Sequence, residues 1–475
     1  MAALRRSLGG KRRLLFAGAS VLAALSLLGG MLAAGAPARA AQAPLVGPLA
    51  VSGSTLVDQG QASRGVTLQG VNVLAETAGP YGQGFIDPSG IATLADWGAN
   101  FARLAISADQ YTQSCPNEAL DPTYRTELAQ AVNGLTSRGI YTVLDIHTSN
   151  PNCLWSSGQT SNAVPLPGED TAATLASLAA TYGSNPLVGY EPFNEPQGCA
   201  QSTGGFGATQ FRADSSEAGE VCPNDTEAQL AWNNAGTVTV KTVNIFGTAI
   251  GGQQYPTPGM ASLYQTIMNN LPAGVAKPLV FLDANQWGSN RSTFESMSPP
   301  LNSASNLVEV FHPYDCQDTS SPLSSGHQSA QCRTATPEAC STTSSGVQSY
   351  MVDPATGSLR SRPVVFDEFN FPGGEDSYYA HAGTLNRNVP ILVFQHGYWV
   401  NNMISAMQDD RAAGWSVLYF QNADVNDYQL PYMMLAPGIG SSSPTPWPAN
   451  VNDGPAVAAM GGSHLSCESP PLGFG

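Results

Sequence analysis

The chain has 475 residues, 42% of them hydrophobic, so it can bury a large core and is not disordered throughout. Only 11% are charged, with 35 acids against 19 bases and a formal charge of −16. That acidic balance excludes nucleic acid as the main partner and a polybasic grip on anionic lipid, since both need a basic surface.

Residues 1–40 predict export. Arg5, Arg6, Lys11, Arg12 and Arg13 precede an apolar run from Leu14 to about Ala36, and Ala38-Arg39-Ala40 forms an A-x-A cleavage pattern. A signal peptide removed from a secreted, extracellular protein is expected, with no stable membrane insertion after cleavage. The run is also long enough for an uncleaved anchor, and Arg12-Arg13 leaves general and twin-arginine export both open. Eight cysteines, an even count, suit an oxidising compartment and predict disulfides. The preferred pairs are Cys115–Cys153 and Cys199–Cys222, leaving Cys316, Cys332, Cys340 and Cys467 to pair among themselves. No CxxC pair suggests a zinc ribbon.

After an N-terminal segment, 41–65, short apolar runs alternate with helical patterns. The expected strands are Val66–Leu74, Phe101–Ser107, Tyr141–His147, Leu187–Asn194, Pro278–Leu282, Leu307–His312, Pro363–Glu368 and Ser416–Gln421. Helices are expected over Pro122–Arg138, Asp170–Tyr182, Thr226–Val243, Gly259–Leu271 and Pro390–Ala413. Eight such strands, buried on both faces, predict the α/β class and a single (β/α)8 TIM barrel over residues 66–437. A doubly wound open sheet is the competing layout, but no GxGxxG follows any strand. Two gaps, Gln197 to about Pro258 and Cys316 to about Arg362, are too long for simple βα loops. They are expected to be long disulfide-stapled loops after strands 4 and 6. Residues 438–475 read as a Pro/Gly/Ser-rich extension.

Polar residues gather at the strand ends. Strand 2 offers Arg103, strand 3 Asp145 and His147, and strand 4 Asn194-Glu195-Pro196. Strand 6 offers His312 and Tyr314, and strand 7 Asp367 and Glu368. Active sites of such barrels lie at that C-terminal face, and a charge on a buried strand must be paired or face a cavity. Glycosidic hydrolysis needs one protonated carboxyl for the leaving oxygen and one ionised carboxylate for the sugar carbon. Glu195 and Glu368, on strands across the barrel from one another, are the expected pair, at the retaining separation of about 5–5.5 Å. Arg103 would keep Glu368 ionised, and a carboxylate neighbour would raise the pKa of Glu195. Asn194 would bond the sugar 2-hydroxyl. Strand alternation admits only one of Asp367 and Glu368 to the mouth. Tyr111, Trp155, Tyr255 and Trp287 could stack on sugar faces or pack loops. No metal and no cofactor are expected: neither HxH nor HExxH occurs.

Phe193-Asn194-Glu195-Pro196, with Val364-Val365-Phe366-Asp367-Glu368, resembles glycoside hydrolase family 5, the cellulase-like family. Gly70-Val71-Asn72, Arg103, Asp145 with His147, Trp287, and His312 with Tyr314 match the family pattern at their strands, so the resemblance covers roughly residues 66–425. It implies Glu195 as acid/base and Glu368, rather than Asp367, as nucleophile. Substrate contacts would come from Arg103, His147, Asn194, His312, Tyr314 and Trp287. The chain departs from the pattern at strand 8, where the family carries a tryptophan platform and Ser416-Val417-Leu418-Tyr419-Phe420-Gln421 stands here. Phe420, Trp155 or Trp287 would then take that role. The resemblance implies a monomeric, secreted retaining β-glycosidase with a carbohydrate substrate, first an endo-β-1,4-glucanase. Mannanase and endoglycosylceramidase-like activities stay open, as does a non-catalytic carbohydrate-binding barrel.

Overall fold

A computed structural model describes residues 43–74, 85–115, 120–153, 166–196, 211–213, 232–240, 253–288, 290–313, 344–369, 404, 407–408 and 410–417. The expected signal segment, the extension 438–475, Trp155, Tyr314, Phe420 and every cysteine except Cys115 and Cys153 lie outside the described residues.

The described chain opens with an antiparallel meander, β1 (Leu49–Ser52), β2 (Thr55–Asp58) and β3 (Arg64–Val66). Four barrel strands follow: β4 (Leu68–Leu74), β5 (Phe101–Ser107), β6 (Tyr141–Thr148) and β7 (Val188–Glu191). The long connection after β7 carries its own antiparallel sheet of β8 (Phe211–Ala213), β9 (Gly236–Val240) and β10 (Gln253–Thr257). The barrel resumes with β11 (Val280–Asp283), β12 (Leu307–Val310), β13 (Val364–Phe369) and β14 (Gly414–Val417). Strand β14 pairs in parallel with β4, so the eight-stranded sheet closes without an edge. Gly70 lets β4 lie close against β5, because a Cβ there would collide with the carbonyl of Phe101.

Helices α1 (Pro88–Asp96), α2 (Ala108–Thr112), α3 (Tyr124–Thr136), α4 (Glu169–Tyr182) and α5 (Gly259–Asn270) lie between the barrel strands. Helix α1 starts where Asp87 accepts the Gly90 N–H at 2.7 Å and Pro88 occupies the first turn. Helix α3 buries Tyr124, Leu128, Ala131, Val132 and Leu135, one stripe at helical spacing. Two shorter helices follow, α6 (Asn285–Gly288) and α7 (Ser344–Met351).

The barrel has two apolar layers. Outward side chains such as Leu104, Ile106, Leu144, Ile146 and Tyr190 pack on the helices. Inward ones at the N-terminal end, including Phe101, Tyr141, Val143, Phe281, Val308 and Val365, form a second cluster with Leu45, Leu49, Leu56 and Val66. The meander therefore plugs the barrel floor. Asp58, fully buried, holds that plug by accepting the N–H groups of Val46, Gly47 and Gly60 at 2.9–3.0 Å.

Two expectations need correction. The helix read over Thr226–Val243 is replaced at Gly236–Val240 by β9, where Thr and Val alternate and pair with β10. The eighth strand begins at Gly414 rather than Ser416, which places Trp415 inside it. Cys115–Cys153 is the expected disulfide and ties the loops after strands 2 and 3 of the barrel, while the cysteines of the loops after strands 4 and 6 lie outside the described residues.

Candidate active site

Moving up each strand, the inward positions change from apolar to polar within two residues. Phe101 gives way to Arg103, Val143 to Asp145, Phe281 to Asp283, Val310 to His312 and Val365 to Asp367. Asn72 on β4, Glu191 on β7 and Ser416 on β14 complete the layer, so all eight barrel strands or their ends contribute one polar residue. Each of these side chains is 0–1% exposed. Burying so many polar groups is tolerable only if they satisfy one another.

Arg103 is the hub. Its Nε and Nη2 donate to the two oxygens of Glu191 at 2.8 and 2.6 Å, and Nη2 also reaches Asn194 Oδ1 at 2.7 Å. Nη1 donates to Asn72 Oδ1 at 2.9 Å and to Glu368 Oε2 at 2.8 Å. Asp145 Oδ2 lies 3.1 Å from Nη2 and 2.7 Å from His147 Nδ1. The other nitrogen of that ring faces the Asn194 amide at 3.4 Å. Asn72 in turn donates to the Asp367 carbonyl at 2.7 Å, and Ser416 Oγ bonds the same carbonyl.

Above this layer stand the two glutamates. Glu195 follows β7 at φ 44°, in the left-handed region, and its N–H donates to Asp283 Oδ2 at 2.6 Å. Its Oε1 lies 3.0 Å from His312 Nδ1. One carboxylate oxygen of Glu195, one of Glu368 and a His312 nitrogen all lie within 4.8 Å of one another. Burial, first, and the nearby Glu368 charge raise the Glu195 pKa, while the hydrogen bond to His312 opposes the rise. Burial disfavours the His312 imidazolium, but Asp283, Glu368 and Asp367 outweigh it and hold its pKa well above the ordinary value.

Both Asp367 and Glu368 engage the cluster, against simple alternation. Asp367 Oδ1 lies 3.0 Å from His312 Nε2, while Glu368 meets Arg103. The pairing of β13 with β14 slips between Phe366 and Phe369, and that irregularity turns two consecutive side chains toward the site. Trp287 lies in α6 directly after β11, and its side chain is outside the described residues. Tyr111 and Tyr255 are interior, 4% and 1% exposed, and Tyr255 donates to the Leu166 carbonyl at 2.7 Å, so both belong to packing. Trp415 faces the outer layer, edge-on to Phe369 at 6.4 Å, and not the mouth.

Glu191 and Asp283 escaped the sequence reading. Each ends an apolar strand, V-G-Y-E and V-F-L-D, the signal that singled out Asp145 and Asp367. Glu191, Asp283, His312 and Asp367 approach within 4.8 Å, close enough in principle to ligate an ion. Arg103 pairs with Glu191, and His312 lies 3.0–3.1 Å from both aspartates, so these two cations offset part of the cluster's charge.

The Cellulase (glycosyl hydrolase family 5) family model matches residues 59–386. Endoglucanase 3 of Humicola insolens is 30% identical over 122 residues, 25% of this chain and 29% of that protein. Probable endo-beta-1,4-glucanase B of Aspergillus oryzae is 28% identical over 111 residues, 23% of this chain and 31% of that protein. The chain thus spans under a third of either relative. A β-glucanase from Saccharophagus degradans, solved in complex with cellotetraose, shares the fold with a TM-score of 0.50 at 14% identity, over 90% of this chain and 98% of that one. The family model covers more than half of the sequence, and the chain belongs to glycosyl hydrolase family 5.

Proposed function

We propose that this member of glycosyl hydrolase family 5 is a retaining β-glycosidase that cleaves a polysaccharide or glycoconjugate by double displacement. The observation that carries the reading is the approach of a Glu195 oxygen to within 4.8 Å of a Glu368 oxygen, in keeping with the short separation of retaining enzymes. Glu368, beside the Arg103 guanidinium, attacks the anomeric carbon as the bond to the leaving oxygen breaks. Glu195, whose raised pKa keeps a proton available, protonates that oxygen. Glu195 then takes a proton from water, whose oxygen displaces Glu368 and returns the starting configuration. Asn194, whose oxygen accepts from Arg103 and whose NH2 lies 3.4 Å from His147 Nε2, presents an amide hydrogen to the sugar 2-hydroxyl, and His147 and His312 line the same mouth.

Endo-β-1,4-glucanase is the first substrate reading, supported by the two endoglucanase relatives. Mannanase and endoglycosylceramidase-like activity are the alternatives, because specificity lies in variable loops. Residues 1–40 act as an export signal ahead of an extracellular enzyme, supported by the basic, apolar and A-x-A order. Among the described residues no helix is long and apolar enough to cross a membrane.

A polysaccharide panel with analysis of the product anomer tests the reading: retained β-configuration on one β-glucan is the expected result. A mechanism-based fluorosugar should label Glu368. Label on any other residue, or glycan binding without turnover, would overturn the assignment in favour of different chemistry or a binding barrel.

A further inference from the structure

Asp283 ends β11, is 1% exposed, and has no part in the two-carboxyl mechanism. It nevertheless meets Glu195 by two routes. Its Oδ2 accepts the Glu195 N–H at 2.6 Å, and its Oδ1 lies 3.1 Å from Nε2 of His312. Nδ1 of the same ring faces Glu195 Oε1 at 3.0 Å, which closes a ring of three residues.

The backbone gives the first reason for such a grip. A non-glycine residue in the left-handed region is strained and persists only where its surroundings enforce it. Glu195 sits there at φ 44°, and the Asp283 carboxyl is what holds its N–H. The inserted connection reinforces the arrangement from behind. Trp232, fully buried between β8 and β9, donates its indole N–H to the Asp283 carbonyl at 3.0 Å.

We infer that Asp283 is a positioning residue for the acid/base, fixing the peptide of Glu195 directly and its carboxyl through His312. The inference rests on the reading of Glu195 as acid/base. Asp367, which takes the Nε2 hydrogen bond, and Asp283, 3.1 Å from the same nitrogen, together keep a proton on His312 Nε2, so Nδ1 is the nitrogen presented to Glu195. One proton then lies between Glu195 Oε1 and His312 Nδ1. It passes to the leaving oxygen as the glycosidic bond breaks, and the attacking water restores it in the second step. Among the described residues, the charged groups around His312 are Glu191 from β7, Asp283 from β11, Asp367 and Glu368 from β13, and Glu195 after β7. Arg103 lies behind Asp367, 3.7 Å from its Oδ2. Asp367 shares the Nε2 hydrogen, but among these groups only Asp283 also reaches the Glu195 peptide.

Asp283→Asn in the full chain tests this. kcat/KM is compared on a dinitrophenyl β-glycoside and on the matching oligosaccharide of the sugar that the panel selects. The oligosaccharide should lose about 10–100-fold, part of the full general-acid contribution, and the activated aryl substrate under about threefold. The alkaline limb should move to lower pH, because removing a negative charge weakens proton binding by the Glu195–His312 pair. Equal losses on both substrates, no loss, or an unmoved limb would overturn the inference. Glu195→Ala run alongside separates the failures. Without a leaving-group contrast in that variant, the acid/base reading itself falls; with it there but absent in Asp283→Asn, only the positioning role falls. If Asp283→Asn does not fold, ¹⁵N resonances of His312 in the unmodified protein decide. Nε2 protonated across the active range supports the role, and a proton on Nδ1 alone refutes it.

Discussion

Arg103 and Glu191 face each other edge to edge, with Nε and Nη2 at 2.8 and 2.6 Å from the two carboxylate oxygens and both side chains sealed from solvent. A planar guanidinium fixed along one edge has its remaining nitrogen aimed as well, and here that nitrogen points at Glu368. Glu191→Gln should therefore destabilise the fold by about 1–3 kcal/mol in chemical denaturation, because the amide can accept only one of the two edge hydrogen bonds and turns its NH2 toward the guanidinium, while Asp145 and Glu368 still face the charge. Arg103→Lys should fare no better, since an ammonium cannot span both oxygens and still reach Glu368.

Glu195→Ala separates acid assistance from nucleophilic attack. Substrates with poor leaving groups should lose about 10²–10⁴-fold in kcat/KM, while dinitrophenyl glycosides, which depart without a proton, should keep most of theirs. Steady-state kinetics on the two substrate types checks this, and parallel losses would remove Glu195 from the role.

The pH profile follows from the same pair. A carboxyl whose pKa is raised keeps its proton to higher pH, so the acid-dependent step is intact below that pKa and fails as pH rises through it. Glu368→Gln removes a negative neighbour that helps raise the Glu195 pKa, so Glu195 should titrate at lower pH in that variant. Carbon-13 NMR of labelled glutamate reads the shift without needing turnover, and a rise would contradict the arrangement.

The disulfide supports the rim. Cys115 and Cys153 close 38 residues of chain, for which loop-closure entropy gives about 4 kcal/mol. Replacing both by serine should lower unfolding free energy by up to that amount, read by urea titration with and without reductant. Equal stability of the two proteins would show that the reduced loops keep their structure unaided.

The barrel was legible because its strands are short apolar runs ending in charge, and helix α3 because its buried stripe is strict. Boundaries are blurred where glycine opens a strand: Gly414-Trp415 precedes the apolar run Ser416–Gln421, and the run alone does not place Trp415 in the outer wall. The span 236–240 was read as helix because the alternation of Gly-Thr-Val-Thr-Val is only five residues long and its partner lies in a distant segment. Within the site, Glu191 and Asp283 were passed over although they end strands as Asp145 does. Neither belongs to a recognisable triplet, and their roles exist only in three dimensions, toward Arg103, His312 and the Glu195 peptide. Alternation likewise could not anticipate the slip in β13 that brings Asp367 and Glu368 to the same side.

The plug formed by Leu45, Leu49, Leu56 and Val66 makes the barrel a one-ended vessel. Any molecule that reaches Glu195 and Glu368 must come from the C-terminal face, since the lumen beneath Arg103 is filled by Phe101, Tyr141 and Phe281.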